Sequence, residues 1–267
     1  MQHISQAPPR FMTPASTISS NGPRCACGNA ARQGCATCWT CEEKRIEAAG
    51  KLAEAQELTA DTEATVVRIL RVVGFQDKHL DATLKRVPAI VSSAIPDGAL
   101  ASMKAGKRPP RGFGLVGTSG AGKTMAVAAL VRLCIRTWLL GNVHALGRLV
   151  INNPPIQWVD WPERVDWMRD HYDRVGGFMA AALEVPLLVL DDIGAERIVG
   201  DTYERDYGSG KLDLLIHGRE NRKLPTIWTS NMNEDALASR YGARLSSRLN
   251  GCSPAGSWIV APDLRRS

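Results

Sequence analysis

Eight consecutive residues, Gly117, Thr118, Ser119, Gly120, Ala121, Gly122, Lys123 and Thr124, constrain this chain more than any other stretch. They fit G-x-x-x-x-G-K-[ST], the glycine-rich loop that cradles nucleotide phosphates. Upstream, Phe113-Gly-Leu-Val116 is a short apolar run, as expected of a buried strand entering a turn. Downstream, Met125 to Leu140 carries apolar residues at helical spacing, with Arg132 and Arg136 on another face. The loop therefore sits between a strand and a helix, where its chemistry requires it. Glycines let backbone N–H groups turn in around the phosphates, and the helix N-terminus adds its partial positive charge. Lys123 is placed to reach the β- and γ-phosphates of ATP, and the Thr124 hydroxyl to ligate Mg²⁺.

The chain has 267 residues, enough for one ordinary domain and a smaller module. A hydrophobic content of 44% with 22% charged residues describes a globular protein. The net charge of +6 is compatible with nucleic-acid contact without requiring it. No apolar run approaches the roughly 20 residues that span a bilayer, and the first residues lack the order of a signal peptide. These features predict a cytoplasmic location, where clustered cysteines serve as metal ligands or free thiols rather than disulfides.

Residues 1–24, with Pro8, Pro9, Pro14 and Pro23 among scattered Ser and Thr, read as a flexible tail. Five of the seven cysteines then fall within seventeen residues: Cys25, Cys27, Cys35, Cys38 and Cys41. A C-x-C knuckle followed by C-x₂-C suits tetrahedral thiolate binding of Zn²⁺. The preferred ligands are Cys25, Cys27, Cys35 and Cys38, with Cys41 able to replace a neighbour. Four thiolates leave no open position, so such a site is structural, and the metal supplies folding energy to a module too small for its own core. Glu42 to Ala60 is rich in helix formers and reads as a charged connecting helix, so the module spans 25–60.

The nucleotide-binding domain is expected over 74–267, with a helix around Ala99. Lys104, Lys107, Arg108 and Arg111 precede the P-loop strand and read as a solvated basic face. Ile156 to Trp161 reads as a second strand. Pro162 then opens a helix, with Val165, Met168, Tyr172 and Val175 as its packing stripe and Gly176-Gly177 as its end.

Leu187-Leu-Val-Leu190 is a continuous apolar run, expected of a central parallel strand, and it ends in Asp191-Asp192. A hydrophobic strand followed by acids is the Walker B pattern. It assigns Asp191 to Mg²⁺ and Asp192 to the attacking water. Pro225 to Thr229 forms another strand, which delivers Ser230 and Asn231 to the same sheet edge, where an amide can bond the γ-phosphate or the water. Arg244 and Arg248 lie four apart, a spacing that predicts one face of a helix. An arginine presented by a neighbouring subunit can neutralise charge developing on a transferred phosphoryl group.

Four stretches occur in order: Gly117–Thr124, Leu187-Leu-Val-Leu-Asp-Asp-Ile-Gly-Ala-Glu196, Leu224-Pro-Thr-Ile-Trp-Thr-Ser-Asn231 and Gly242-Ala-Arg-Leu-Ser-Ser-Arg-Leu249. Together they resemble the AAA+ ATPases of the DnaC/DnaI helicase-loader group, in the superfamily that also holds the IstB transposition helpers. The resemblance covers about Gly74 to Asn250. It implies an α/β fold, an AAA+ P-loop core with a parallel sheet flanked by helices and no C-terminal lid, since little chain follows Arg248. It also implies Asn231 as sensor 1 and Arg248 as an arginine finger acting in trans, with Arg244 in support. Arg219 matches an arginine of the group that carries no defined role. Catalysis is thereby expected of Lys123, Asp191, Asp192, Asn231, Arg248 and Arg244. In the group, ATP assembles protomers around single-stranded DNA through shared sites and governs a ring-shaped, DnaB-like replicative helicase. The cysteine cluster resembles amino-terminal zinc modules that hold that helicase, although its C-x-C start departs from the expected C-x₂-C. Asp192 stands where most AAA+ proteins have Glu, which bears on the rate of hydrolysis. Gly208-Ser-Gly210 interrupts a region usually helical in relatives. The alternative is an IstB-like helper of transposition that binds duplex DNA and a transposase, a branch that usually lacks the cysteines.

Overall fold

Four parallel strands form the centre of the protein, a computed structural model of which describes residues 62–141, 155–197, 202–252, 258–261 and 263. The strands are β1 (Phe113–Val116), β2 (Ile156–Asp160), β3 (Leu187–Ile193) and β4 (Thr226–Ser230), in the sheet order β1-β4-β3-β2. All three pairings are parallel, with Phe113 opposite Ile227, Leu188 opposite Thr226 and Ile156 opposite Leu187. Parallel pairing demands crossovers, and helices supply them on both faces. The chain divides into two units, Met1–Thr59 and Ala60–Ser267, and the described residues lie in the second. The predicted tail, zinc module and connecting helix, including Cys25, Cys27, Cys35, Cys38 and Cys41, lie outside the described residues.

Residues 62–73 are helical and form α1. After two 3₁₀ turns, Asp77–His79 and Leu84–Arg86, come α2 (Ala89–Ser92), α3 (Asp97–Lys104) and α4 (Lys123–Gly141). These pack on one face of the sheet, where Val66, Ile69, Leu70, Met103, Val127, Leu130 and Val131 meet Leu115, Leu187, Val189 and Ile227. The other face receives α5 (Trp161–Asp170), α6 (Tyr172–Glu184), α7 (Thr202–Asn221), α8 (Glu234–Tyr241) and α9 (Ala243–Cys252). There Trp161, Val165, Met168, Leu212, Leu215 and Ile216 meet Leu188, Leu190 and Trp228. The alternation of Leu187 and Val189 with Leu188 and Leu190 is the two-residue period of a strand buried on both sides. Among the described residues no helix is long and apolar enough to cross a membrane.

Several sequence expectations need correction. Trp161 is the first residue of α5 rather than the last of β2, and Asp160 caps the helix by accepting the Glu163 N–H at 3.1 Å. The following helix does not run to Gly176-Gly177. It breaks at His171, whose backbone leaves the helical region (φ −135°, ψ 55°), and α6 continues straight through both glycines to Glu184. Tyr172 is 70% exposed, so the packing stripe is Val165, Met168 and Val175 without it. Gly208-Ser-Gly210 likewise does not interrupt α7. A Cβ at Gly208 would press on the Val165 methyls at 3.3 and 3.4 Å, so the missing side chain lets α7 approach α5. The P-loop helix begins at Lys123, two residues earlier than the apolar periodicity indicates.

Candidate functional site

The P-loop leaves the carboxyl end of β1 and closes onto α4, so Lys123 and Thr124 form the first turn of a helix aimed at the sheet edge. Gly120 (φ 75°) and Gly122 (φ 94°) adopt left-handed conformations that favour glycine. The loop is held from outside by the end of the chain. Thr118 N–H donates to the Ile259 carbonyl (3.0 Å) and Ile259 N–H to the Val116 carbonyl (2.9 Å). The Thr118 hydroxyl donates to the Ala261 carbonyl (3.2 Å). Asp263 lies so close to Gly120 that a Cβ there would sit 1.9 Å from its Oδ1.

Lys123 is 5% exposed and bends back over its own loop. Its Nζ donates to the carbonyls of Gly117 (2.9 Å) and Thr118 (2.8 Å) and to Asn231 Oδ1 (2.7 Å). Asn231 passes the contact on, since its Nδ2 donates to Asp192 Oδ1 at 2.8 Å. Side chains from the P-loop helix, the end of β4 and the end of β3 thus form one hydrogen-bonded line. A second line runs beside it. The Thr124 hydroxyl donates to Asp191 Oδ1 (2.9 Å), as does the Thr229 hydroxyl (2.6 Å), while Thr229 Oγ1 accepts the Asp192 N–H (2.8 Å).

The two acids diverge because β3 bulges between them. Leu190 pairs with Trp228 and Ile193 with Ser230, so one extra residue of β3 is taken up at Asp191-Asp192, and Asp192 adopts φ 61°. Bulges re-aim side chains and recur beside active sites. Here the bulge leaves Asp191 buried at 5% exposure and turns Asp192 toward Asn231. Burial is the main cause that pushes the Asp191 carboxyl up to about 6. Its bonds from Thr229 and Thr124 act downward, and the neighbouring Asp192 and Asp160 act upward. A carboxylate stripped of water beside an alkyl hydroxyl is a fitting pair of oxygen ligands for a hard divalent cation such as Mg²⁺.

Lys123, Thr124, Asp192 and Asn231 line a cleft of about 270 Å³ that also includes Gly120, Gly122 and Met125. Its far wall, Lys78, His79, Asp81, Ala82 and Arg86, carries no motif and was not legible in the sequence. Burial, and then Lys78, lower the His79 pKa, which leaves a neutral imidazole at pH 7. Arg86 and Asp81 pair at 2.5 Å on the rim. Thr229 was also missed; its only signal was a polar residue at the end of a buried strand.

Arg244 and Arg248 are not at this cleft. Both lie on α9, where Arg244 is exposed and Arg248 donates to Asp213 Oδ1 of α7 at 2.5 Å. Arg219 is fully buried at the opposite, amino-terminal edge of the sheet. Its guanidinium donates to the carbonyls of Ala182, Val185 and Pro225 (2.8, 2.8 and 2.7 Å) and to Thr226 Oγ1 (3.0 Å), a scaffold for the chain entering β3 and β4. Lys104, Lys107, Arg108 and Arg111 are exposed, and Arg111 reaches the Gly251 carbonyl at 2.5 Å. Among the described residues no three His, Cys, Asp or Glu side chains cluster as metal ligands.

A glycine-rich turn between strand and helix, with an acid pair and a polar amide on neighbouring strand ends, supplies the parts a P-loop nucleotide site needs. No protein-family model and no curated protein matches the chain. Solved structures similar to it include the DnaC helicase loader, at 20% identity over 67% of this chain and 98% of that one, with a TM-score of 0.47. DnaI is similar at 21% identity over 71% and 94%, with a TM-score of 0.48. The replication initiator DnaA bound to AMPPCP and single-stranded DNA is similar at 17% identity over 72% and 53%, with a TM-score of 0.45.

Proposed function

We propose that this chain is an ATPase of the DnaC/DnaI kind, which recruits a replicative helicase onto single-stranded DNA as replication begins. The observation that carries the ATPase part is the paired alignment of Lys123–Asn231–Asp192 and Thr124–Asp191 at the carboxyl edge of the sheet. The loop from Gly117 to Thr124 would wrap the phosphates, and Lys123 would exchange its own loop carbonyls for β- and γ-phosphate oxygens. Thr124 and Asp191 would hold Mg²⁺, which offsets charge on the transferred phosphoryl group. Asp192, fixed by Asn231, orients the attacking water. The wall from Lys78 to Arg86 would face the rest of the nucleotide.

Arg248, with Arg244 in support, completes the site of a neighbouring copy, which makes the working form a homo-oligomer. Its place on a separate helix, away from its own chain's cleft, is compatible with that role. Cys25, Cys27, Cys35 and Cys38, which lie outside the described residues, would hold Zn²⁺, and the metal would supply folding energy to a module that grips the helicase. The test is steady-state ATP hydrolysis with and without single-stranded DNA. Wild type should hydrolyse ATP faster with DNA, Lys123→Ala should not bind nucleotide, and Arg248→Ala should bind it normally without DNA-stimulated turnover. Unchanged turnover in the Arg248 variant would remove the case for a shared site.

A further inference from the structure

Glu196 lies four residues after Asp192 and is only 7% exposed. A carboxylate taken out of water is costly unless its oxygens are satisfied. Here each oxygen has a partner, and the partners come from two places. Oε2 accepts the Gly194 N–H at 3.0 Å, inside the turn that follows Asp192. Oε1 accepts the Tyr241 hydroxyl and pairs with Arg240 at 3.3 Å, both at the carboxyl end of α8. Arg240 also donates to the Glu196 main-chain carbonyl at 2.5 Å, so the clamp grips backbone as well as side chain. Burial, and then the Glu196 carboxylate, raise the Tyr241 pKa far above the ordinary phenol value, so the hydroxyl stays a neutral donor.

The turn so held is strained. Asp192 (φ 61°) and Gly194 (φ 97°) are both left-handed, and Ala195 N–H closes it onto the Asp192 carbonyl at 3.1 Å. Such a conformation at a non-glycine residue persists only where its surroundings over-determine it. Thr229 and Asn231 fix Asp192 from the strand side, and Glu196 fixes the turn from the helix side. Beyond Tyr241 only Gly242 (φ 86°) separates α8 from α9, the helix that carries Arg244 and Arg248. One carboxylate therefore joins the acid of this chain's cleft to the root of its arginine-bearing helix.

We propose that Glu196 is a positioning residue, whose carboxylate clamps the turn after Asp192 to the corner between α8 and α9 and so holds the aim of Asp192. The inference rests on the ATP-hydrolysis reading of the cleft. It makes the contribution of Glu196 specific to turnover, because the phosphate-binding groups on the P-loop do not touch the clamp.

The test uses the full-length protein with Glu196→Gln and Tyr241→Phe. Affinity for a fluorescent ATP analogue with Mg²⁺, kcat and KM are measured well below each variant's melting midpoint. Glu196→Gln keeps the shape and loses the charge facing Arg240, whereas Tyr241→Phe deletes one hydroxyl. Misaiming a reacting group by about an ångström costs up to about 100-fold, so kcat should fall about 10-fold or more in Glu196→Gln and less in Tyr241→Phe. Nucleotide affinity and KM should stay within about twofold. A kcat within about twofold of wild type, with only the melting midpoint lowered, overturns the proposal, as does an equal loss of affinity and turnover. If Glu196→Gln does not fold, Tyr241→Phe decides by the same criteria. A wild-type protein without ATPase activity overturns the reading of the cleft and this inference together. An active wild type with indifferent variants overturns the inference alone.

Discussion

Replacing Asp191 with asparagine should stabilise the nucleotide-free protein while removing its response to Mg²⁺. Asp191 is 5% exposed, and burial lifts its carboxyl from 3.8 to about 6. That is a rise of about two pH units, and at about 1.4 kcal/mol per unit the ionised folded form is disfavoured by about 3 kcal/mol at neutral pH. The folded pKa is raised, so this group favours folding below pH 4, and the benefit is lost as pH climbs through about 6. Asparagine stays neutral throughout, and its Oδ1 can still accept from Thr124 and Thr229. The titration part of the variant's advantage should therefore be near its full value at pH 7.5 and shrink to about a third of it at pH 4.5, where the cost of the amide leaves almost no net gain. Its second amide proton needs a new partner, so a net gain of about 2 kcal/mol is expected at pH 7.5, or about 4–8 °C in Tm for a domain of this size. Thermal melts of both proteins across this pH range, with and without Mg²⁺–ATP, read the effect directly. Wild type should gain stability from Mg²⁺ beyond that from ATP alone, and the variant should not. A variant at or below wild-type Tm at pH 7.5, or a gap that ignores pH, would refute the reasoning.

Arg219→Met should lower stability by at least about 3 kcal/mol, since it strips donors from the buried carbonyls of Ala182, Val185 and Pro225. Urea unfolding would show the loss, Arg219→Lys should not restore it, and nucleotide affinity of the folded variant should be unchanged. Gly114→Ala should cost about 1–3 kcal/mol, because its Cβ would sit 2.4 Å from the fully buried Trp228 ring on the paired strand. The drop in Tm should be partly reversed by adding Trp228→Phe. Lys123→Ala should abolish nucleotide binding measured by calorimetry.

The sequence reveals the parts whose chemistry is local. A P-loop must join a strand to a helix, and the Leu187–Leu190 run can only be a strand covered on both faces, so β1, α4 and β3 fall where the pattern puts them. The sheet's helical flanks are less legible because tertiary packing overrides propensity. Gly176-Gly177 stays helical within α6, and Gly208 reads as flexibility until Val165 is seen against it. The bulge at Asp191-Asp192 is invisible in sequence, since it depends on the register against Trp228 and Ser230. The clamp on Glu196 joins residues 45 apart, and the strap on the P-loop joins Thr118 to Ala261, 143 apart. No periodicity links such positions. Arg219, to which the sequence gives no defined role, is buried scaffolding, a part played through carbonyls that no sequence pattern marks.

The central claim is that this nucleotide site serves helicase recruitment, and the most direct measurement is capture of the host's replicative helicase by the full-length protein. It is run with ATP, without ATP, and with Cys25, Cys27, Cys35 and Cys38 changed to serine. The account predicts capture by the intact protein and its loss in the serine variant, with transfer of helicase to single-stranded DNA only when ATP is present and Lys123 is intact. No capture under any condition, together with tight binding to duplex DNA, would contradict it and favour a transposition helper.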